Sequence, residues 1–380
     1  KGMKILHIIT SLNNGGAENH LAELASKQAK QKKNKIYIIY LRGDDYWEKF
    51  LRKKNINVKK IIIKNNHNLV GLIFVIFKIF KIAKKIKPEI IHAHLSLSEI
   101  IVTFLKLIFR LDFKMVISKH LDSFLFEGSR GQNKFFSGLF LERIIFYISD
   151  HVIFISKNVQ SYFLSEIKVP PEKKSVIYYG INKKNFIMKN ASKNKKIKFN
   201  KKKNQKVILN IARHTVQKKI DLLIRGFTEY QKINKNSKLI LVGSGPETEK
   251  LKLLAEELQI KSKIQWINYT NNVFDLFKIS DVFCLTSRYE GLGLVLLESL
   301  ISRVPVITMK SSAMKEVVKN NHSGLLLSEN CSPKSLSIAL NKVLNNEKFR
   351  KKIIKNGFVR LSQKFNVNKM LKLTTNAYKI

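Results

Sequence analysis

Residues Arg288–Glu298 read RYEGLGLVLLE, preceded by Ser287 and followed by the run Ser299–Ile307. Asp281–Thr286 (DVFCLT), just upstream, has the β-branched and aromatic bias of a buried strand. Gly291, Leu292 and Gly293 then make a turn in which glycine lets the backbone bend sharply and approach a ligand. From Leu294 the run LVLLESLI is a good helix former, so the unpaired amides of Gly293, Leu294 and Val295 point out of its first turn and offer an anion site. Glu290 stands on the loop and Glu298 about one turn into the helix, which lets two carboxylates reach different parts of one ligand. An anion site flanked by acids suits a nucleotide-sugar, with pyrophosphate on the amides and hydroxyls on the carboxylates. Taken alone, two glutamates at this spacing are also common on a solvated helix face.

Strand-like and helical runs alternate on both sides of this stretch, which reads as an α/β protein. Val207–Ala212 is a strand followed by Arg213, Lys218 and a helical pattern from Ile220. Lys238–Val242 is a strand ending in Gly243-Ser244-Gly245-Pro246, with a helix to Leu258, and Ile264–Ile267 leads to Asn268-Tyr269. Residues 334–360 read as helical and Phe365–Ile380 as a terminal helix. In the first half, Lys4–Ile9 is a strand, Gly15-Gly16-Ala17-Glu18 a glycine loop, and Asn19 to about Lys30 a helix, the opening βα unit of a Rossmann-like domain. Without a G-x-G-x-x-G, a dinucleotide cofactor is not expected. Ile36–Leu41 and Val58–Ile63 are further strands. Strands also precede His92 and His94, and precede His120 at the end of Met115–Ser118. Residues 123–138 lack periodicity and read as a mobile loop. Residues 183–206, dense in Lys and Asn, read as an interdomain linker.

At 380 residues and 44% hydrophobic the chain is long enough for two globular domains. Its net charge is +44, and only 11 of the 71 basic residues are Arg. Codon bias of an AT-rich genome and selection for a basic surface both account for this. Either way the surface attracts anionic membranes and, without specificity, nucleic acid. No nucleic-acid motif accompanies the charge, so no specific nucleic acid is expected. Cys284 and Cys331 lack metal spacing and fit a reducing compartment. No signal-peptide pattern opens the chain, and Lys1-Gly2 ahead of Met3 reads as an added remnant. The longest apolar run, Leu69–Phe77, is too short to span a bilayer. It begins a helix to Lys87 with lysines toward its end, which fits either a core helix with a cationic end or an interfacial helix on anionic lipid.

These motifs resemble the retaining GT-B glycosyltransferases, above all family 4. Glu290 and Glu298 within EGLGLVLLES, followed by Val304-Pro305-Val306-Ile307, resemble that family's Glu, seven residues, Glu motif. Gly15-Gly16-Ala17-Glu18 resembles its GGAE loop, and His92-Ala93-His94 its H-x-H strand end. Arg213, Lys218 and Asp221 resemble R-L-x-x-x-K-G-x-D-x-L, with Lys219 in place of the glycine. Gly243–Pro246 resembles V-G-x-G-P, and Glu316–Val318 with Gly324-Leu325 resembles the tail of the nucleotide pocket. Two departures stand out. The family's Thr-x-His-Asp becomes Ser118-Lys119-His120-Leu121-Asp122, and its I-P-N-G-I-D becomes Ile177-Tyr178-Tyr179-Gly180-Ile181-Asn182.

The resemblance implies a GT-B fold of two Rossmann-like domains with parallel sheets facing a central cleft. The expected bounds are 3–184 for an acceptor-side domain, 185–205 for a linker, 206–362 for a nucleotide-sugar domain, and 363–380 for a helix crossing back. It implies a retaining transferase that moves a hexose or N-acetylhexosamine from a nucleotide-diphosphate sugar to an acceptor hydroxyl. UDP is favoured over GDP-mannose, and bacterial glycolipid, lipopolysaccharide or polysaccharide synthesis is the expected setting. Glu290 would meet the sugar hydroxyls and Glu298 the ribose. Arg213, Lys218, the Gly15-Gly16 loop and the amides near Leu294 would stabilise the leaving diphosphate. Asn268 and Tyr269 would meet the base, and Gly243 would line the donor pocket. His120 would position the sugar rather than attack it, while Glu18, His92 and His94 would line the acceptor side. No metal and no further cofactor is expected. The setting would be cytoplasmic, peripheral on the inner membrane face, with a glycan or lipid-linked acceptor. A same-fold epimerase and a non-catalytic basic binding protein are the alternatives.

Overall fold

Lys4–Ser11 (β1) is apolar on both faces, and six of its eight residues are buried, as in a parallel strand covered by helices on both sides. The computed structural model describes residues 2–31, 33–62, 69–121, 132–183, 185–186, 201–270 and 272–379. The chain divides into two compact units, Lys1–Gly180 with Val367–Ile380, and Ile181–Asn366.

In unit 1 the strands after β1 are β2 (Lys35–Arg42), β3 (Asn57–Lys60), β4 (Ile90–His94), β5 (Lys114–Lys119), β6 (His151–Phe154) and β7 (Lys174–Val176). They form one parallel sheet in the order β3-β2-β1-β4-β5-β6-β7. Parallel neighbours need a crossover, supplied here by α1 (Gly16–Ala29), α2 (Glu48–Arg52), α3 (Leu69–Ile86), α4 (Ser96–Ile108), α5 (Gln132–Ile148) and α6 (Lys157–Leu164). The terminal helix Val367–Ala377 belongs to this unit. Its Met370 and Tyr378, just beyond it, join Leu21, Leu24 and Ile38 in the core.

Unit 2 repeats the plan with β8 (Lys206–Ile211), α7 (Ile220–Ile233), β9 (Ser237–Val242), α8 (Thr248–Glu257), β10 (Ile264–Ile267), α9 (Val273–Ile279) and β11 (Val282–Leu285). It continues with α10 (Leu294–Ile301), β12 (Val306–Met309), α11 (Met314–Val317), β13 (Leu325–Leu327), α12 (Pro333–Asn345) and α13 (Glu347–Lys364). The sheet order is β10-β9-β8-β11-β12-β13, again all parallel. In both sheets the first strand has neighbours wound in opposite directions, so a crevice opens at its carboxyl end. Ligands of open α/β sheets bind at such switch points.

Three sequence expectations change. Residues 334–360 are two helices, because Asn346 leaves the helical conformation and its side chain caps the next helix through Phe349 N at 2.8 Å. The expected loop 123–138 is helix from Gln132 onward; residues 122–131, including Asp122, lie outside the described residues, as do 187–200 of the expected linker. The third concerns α3, which is buried along part of its surface and exposed along the rest. Val75, Ile76, Ile79 and Ala83 are buried, whereas Val70, Ile73, Phe74 and Phe77 are exposed. Lys78 and Lys81 lie over the Phe74 and Phe77 rings at 4.3 and 4.7 Å.

One buried ionic group ties unit 1 together beside the switch point. Lys119 Nζ, at the end of β5, donates to Glu99 Oε2 on α4 at 2.5 Å and to Glu142 Oε2 on α5 at 2.7 Å. All three residues are buried, and Phe146 and Phe163 flank the ammonium. Burial pushes the Glu99 carboxyl up to about 7 against the pull of Lys119.

Candidate functional site

In unit 2 the loops after β8 and β11 meet at the switch point and are fastened to each other. Arg288 N donates to Gln217 O at 2.8 Å, and Gln217 Nε2 to Tyr289 O at 2.7 Å. Thr286 Oγ1 reaches the carbonyls of Lys218 and Lys219 at 3.0 and 2.8 Å. Lys219 occupies the left-handed region at φ 45°, where glycine is the easy residue. The turn expected of a glycine is therefore kept with lysine in its place, held by Thr286.

Lys218 Nζ donates to Glu290 Oε1 at 2.6 Å, and Ser287 Oγ donates to the same oxygen at 2.6 Å. Ser312 Oγ donates to Glu290 O at 2.8 Å, which pins the loop carrying the acid. Gly293, at φ 80°, caps α10 and leaves the first-turn amides facing outward. Leu292 is buried beneath that turn, Leu294 and Val295 are half-buried, and Glu298 is half-buried on the same helix. Arg213 is exposed at the end of β8. Gly243 follows β9 at φ 135°, and a methyl there would lie 2.0 Å from Ala212 O, so only glycine fits. Asn268 and Tyr269 are exposed at the end of β10. The unit 2 residues singled out in the sequence thus lie at carboxyl ends of strands, in the loops that follow them, or on helix α10.

In unit 1 the glycine loop caps α1. Gly15 is its N-cap and Gly16 its first residue. Glu18 folds back under Gly15, where a methyl would touch its Oε2 at 2.3 Å, and its Oε1 accepts from Ser11 Oγ at 2.7 Å. That is the position of the returning acid in a capping box. Burial raises its carboxyl.

His92 and His94, expected to line the cleft wall on the acceptor side, are both fully buried. They alternate on one face of β4 opposite His7 of β1, and buried polar rings need partners. His92 pairs with Tyr378 OH at 2.8 Å and Ser118 Oγ at 2.7 Å. His94 pairs with His7 at 3.1 Å and His120 at 3.2 Å. His120 completes the row by meeting Tyr179 OH at 2.6 Å. With both ring nitrogens engaged, His120 has none free for attack on carbon.

The sequence reading missed His7, His20, Gln28, Tyr179 and Tyr378. The available signal was a histidine in the middle of an apolar strand, and a tyrosine where the resembled motif has Asn. His20 stacks on Tyr179 with ring centroids 4.5 Å apart. Among the described residues, His7, His92 and His94 each offer a ring nitrogen within 4.8 Å of the others, close enough to approach a cation. Every ring nitrogen of these three already has a partner, so a cation would have to displace hydrogen bonds already made.

Two family profiles match the chain. Glycosyltransferase Family 4 covers residues 14–185 and Glycosyl transferases group 1 covers residues 191–360. The chain belongs to the GT-B glycosyltransferases. It is 26% identical over 309 residues to the O-antigen biosynthesis glycosyltransferase WclY of Escherichia coli, covering 80% of each chain. It is 24% identical over 366 residues, 93% of this chain and 92% of the other, to a Campylobacter jejuni alpha-1,4-N-acetyl-D-galactosaminyltransferase named for a diNAcBac-PP-undecaprenol-linked substrate. An uncharacterized glycosyltransferase of Methanocaldococcus jannaschii is 28% identical over 245 residues, which span 63% of this chain and 62% of that protein. The crystal structure of Anabaena Alr3699/HepE with UDP and glucose superposes with a TM-score of 0.81 over 99% of both chains at 19% identity, a likeness of fold.

The histidine row makes stability pH-dependent. Burial holds His20, His92 and His94 well below the usual imidazole range and brings His7 to about 4 and His120 to about 3. A base depressed in the folded state stabilises it above the unfolded value of 6.5, and this contribution is lost as pH falls toward the folded value. For His7 alone the loss is on the order of 3 kcal/mol. Glu18 and Glu99, raised by burial, oppose it, but they are two carboxyls against five rings. Urea denaturation should therefore show unit 1 losing stability from pH 6.5 toward about 4; a flat or rising profile would contradict neutral histidines.

Proposed function

We propose that this chain is a retaining, metal-independent glycosyltransferase that moves a hexose or N-acetylhexosamine from a UDP-sugar to a hydroxyl of a glycan or lipid-linked acceptor. The observation that carries the reading is the Lys218–Glu290 pair beside the outward amides of α10. A cation, an acid and a helix N-terminus at one switch point match a diphosphate joined to a sugar. On donor binding Lys218 turns from Glu290 to the diphosphate, and Glu290 takes the sugar hydroxyls. Arg213 adds charge at the phosphates, and Glu298 binds the ribose. As the glycosidic bond breaks, negative charge grows on the leaving phosphate, which these donors stabilise. The acceptor then attacks from the same face and passes its proton to the departing phosphate oxygen. His120 positions the sugar by packing rather than by attack, since both of its ring nitrogens are engaged. UDP rather than GDP is supported by the UDP held in the Anabaena neighbour, and GDP-mannose is the alternative donor. The names of the Escherichia and Campylobacter relatives support O-antigen or undecaprenol-linked glycan synthesis.

A melting-temperature panel of UDP, GDP, ADP and their sugars, with and without EDTA, tests the donor site, because a ligand of the folded state raises the midpoint. The expected result is a shift with UDP and its sugars that EDTA leaves unchanged. Glu290→Ala should abolish transfer, and proton NMR of the wild-type product should show the donor's anomeric configuration. A shift that vanishes with EDTA sinks metal independence, and an inverted product sinks retention. Sugar interconversion without acceptor would favour an epimerase.

The same proposal places the protein peripherally on the inner face of the cell membrane. No described helix is long and apolar enough to cross a membrane. The exposed face of α3 offers Phe74 and Phe77 under Lys78 and Lys81, beside a hollow of about 520 Å³ that Lys59, Lys60 and Ile62 also line. Apolar rings with ammonium groups above them suit anionic headgroups over acyl chains. Sedimentation with phosphatidylglycerol vesicles at physiological salt should be strong, and Phe74→Ser with Phe77→Ser should weaken it. Equal binding by the double variant would remove α3 from the membrane contact.

A further inference from the structure

Gln28 of α1 lies three histidines away from Tyr179, outside every motif that the sequence singled out. We infer that Gln28 is a positioning residue for the transfer reaction, because its side-chain amide sets the polarity of a hydrogen-bonded chain that holds His120. The inference rests on the reading of His120 as the group that positions the donor sugar.

The chain has four links. Gln28 Oε1 meets His7 Nε2 at 2.8 Å, and His7 Nδ1 meets His94 Nε2 at 3.1 Å. His94 Nδ1 meets His120 Nε2 at 3.2 Å, and His120 Nδ1 meets Tyr179 OH at 2.6 Å. A neutral imidazole has one donor and one acceptor nitrogen, so a direction chosen at one end propagates to the other. Gln28 carries that choice: its Nε2 donates to Tyr378 OH at 3.1 Å, Tyr378 passes its own proton to His92 Nδ1 at 2.8 Å, and Gln28 Oε1 is left to accept from His7. His7 therefore carries its proton on Nε2 and accepts at Nδ1. His94 and His120 follow in the same tautomer, and Tyr179 donates its hydroxyl proton to His120.

Reversal requires Gln28 to turn its amide over, so that Nε2 faces His7 and every ring becomes the Nδ1–H tautomer. An intermediate with one ring reversed would set donor against donor at one junction and acceptor against acceptor at the next. A buried unpaired polar atom costs about 1 to 3 kcal/mol, so the row behaves as one two-state unit. Charging a ring would also break the pattern, and burial keeps His7, His94 and His120 neutral. The output end lies under the glycine loop. Tyr179 is buried, stacks on His20, and would be 4.0 Å from a methyl placed on Gly16.

The test is nitrogen-15 NMR of the full chain labelled at its histidine rings, together with transfer kinetics. In the wild type, His7, His94 and His120 should all be Nε2–H between about pH 6 and 8. Gln28→Leu should move the three rings to a tautomer mixture. It should also lower kcat about fivefold, the worth of roughly one hydrogen bond, with donor KM within about twofold. Gln28→Glu keeps an acceptor for His7 and should restore both readouts. Nδ1–H rings in the wild type would overturn the inference even if Gln28→Leu fails to fold. So would altered tautomers with an unchanged kcat. A wild type that transfers no sugar would overturn the proposed function instead, while the spectrum still reports the polarity.

Discussion

Parallel strand pairing is the constraint from which the rest of this structure follows. It forbids tight hairpins and sends the chain through helices, so every strand of a sheet ends on the same edge. In each unit the first strand is central, at β1 and at β8, and the winding reverses beside it. The loops after these strands and their neighbours therefore converge without any long-range design of the loops themselves. Glycines and ionisable residues that lie far apart in sequence become neighbours for that reason alone.

At the unit 2 switch point the convergence is reinforced by a short list of polar ties. Thr286 clamps the carbonyls of Lys218 and Lys219, Gln217 bridges to Arg288 and Tyr289, and Ser287 and Ser312 hold Glu290 from two sides. The left-handed Lys219 is strained for a residue with a side chain, and that clamp is what maintains it. In unit 1 the polar load lies deeper. A row of neutral histidines and a Lys119 triad occupy space that apolar side chains fill in most parallel sheets. Their hydrogen bonds demand particular neighbours, which makes this layer specific as well as stable.

Much of this was legible in the sequence, and unevenly so. The α/β class, the first strand and glycine loop, and the helix start at Leu294 follow from local patterning, since apolar runs and glycine turns act over a few residues. The burial of His92 and His94 was not legible because their partners Tyr378, Ser118 and His7 are supplied by the fold from remote positions. Tyr179 looked like a lapse in a motif, and its hydroxyl instead completes the histidine row. Lys219 looked like a damaged turn, and Thr286, 67 residues away, preserves it. In each case pattern foretold which segment would matter, and only the three-dimensional neighbours showed what the side chain does.

The central claim is that Lys218 and Glu290 divide one donor between phosphate and sugar. Calorimetric titration of UDP into the wild type, Lys218→Met and Glu290→Gln tests it most directly. Loss of one charge-assisted contact is worth about 1.5 to 3 kcal/mol, so Lys218→Met should bind UDP about 10-fold to 150-fold more weakly. Glu290→Gln should bind UDP nearly as the wild type does, because UDP lacks the donor sugar that Glu290 holds and its ribose belongs to Glu298. Undiminished binding by Lys218→Met would contradict the account.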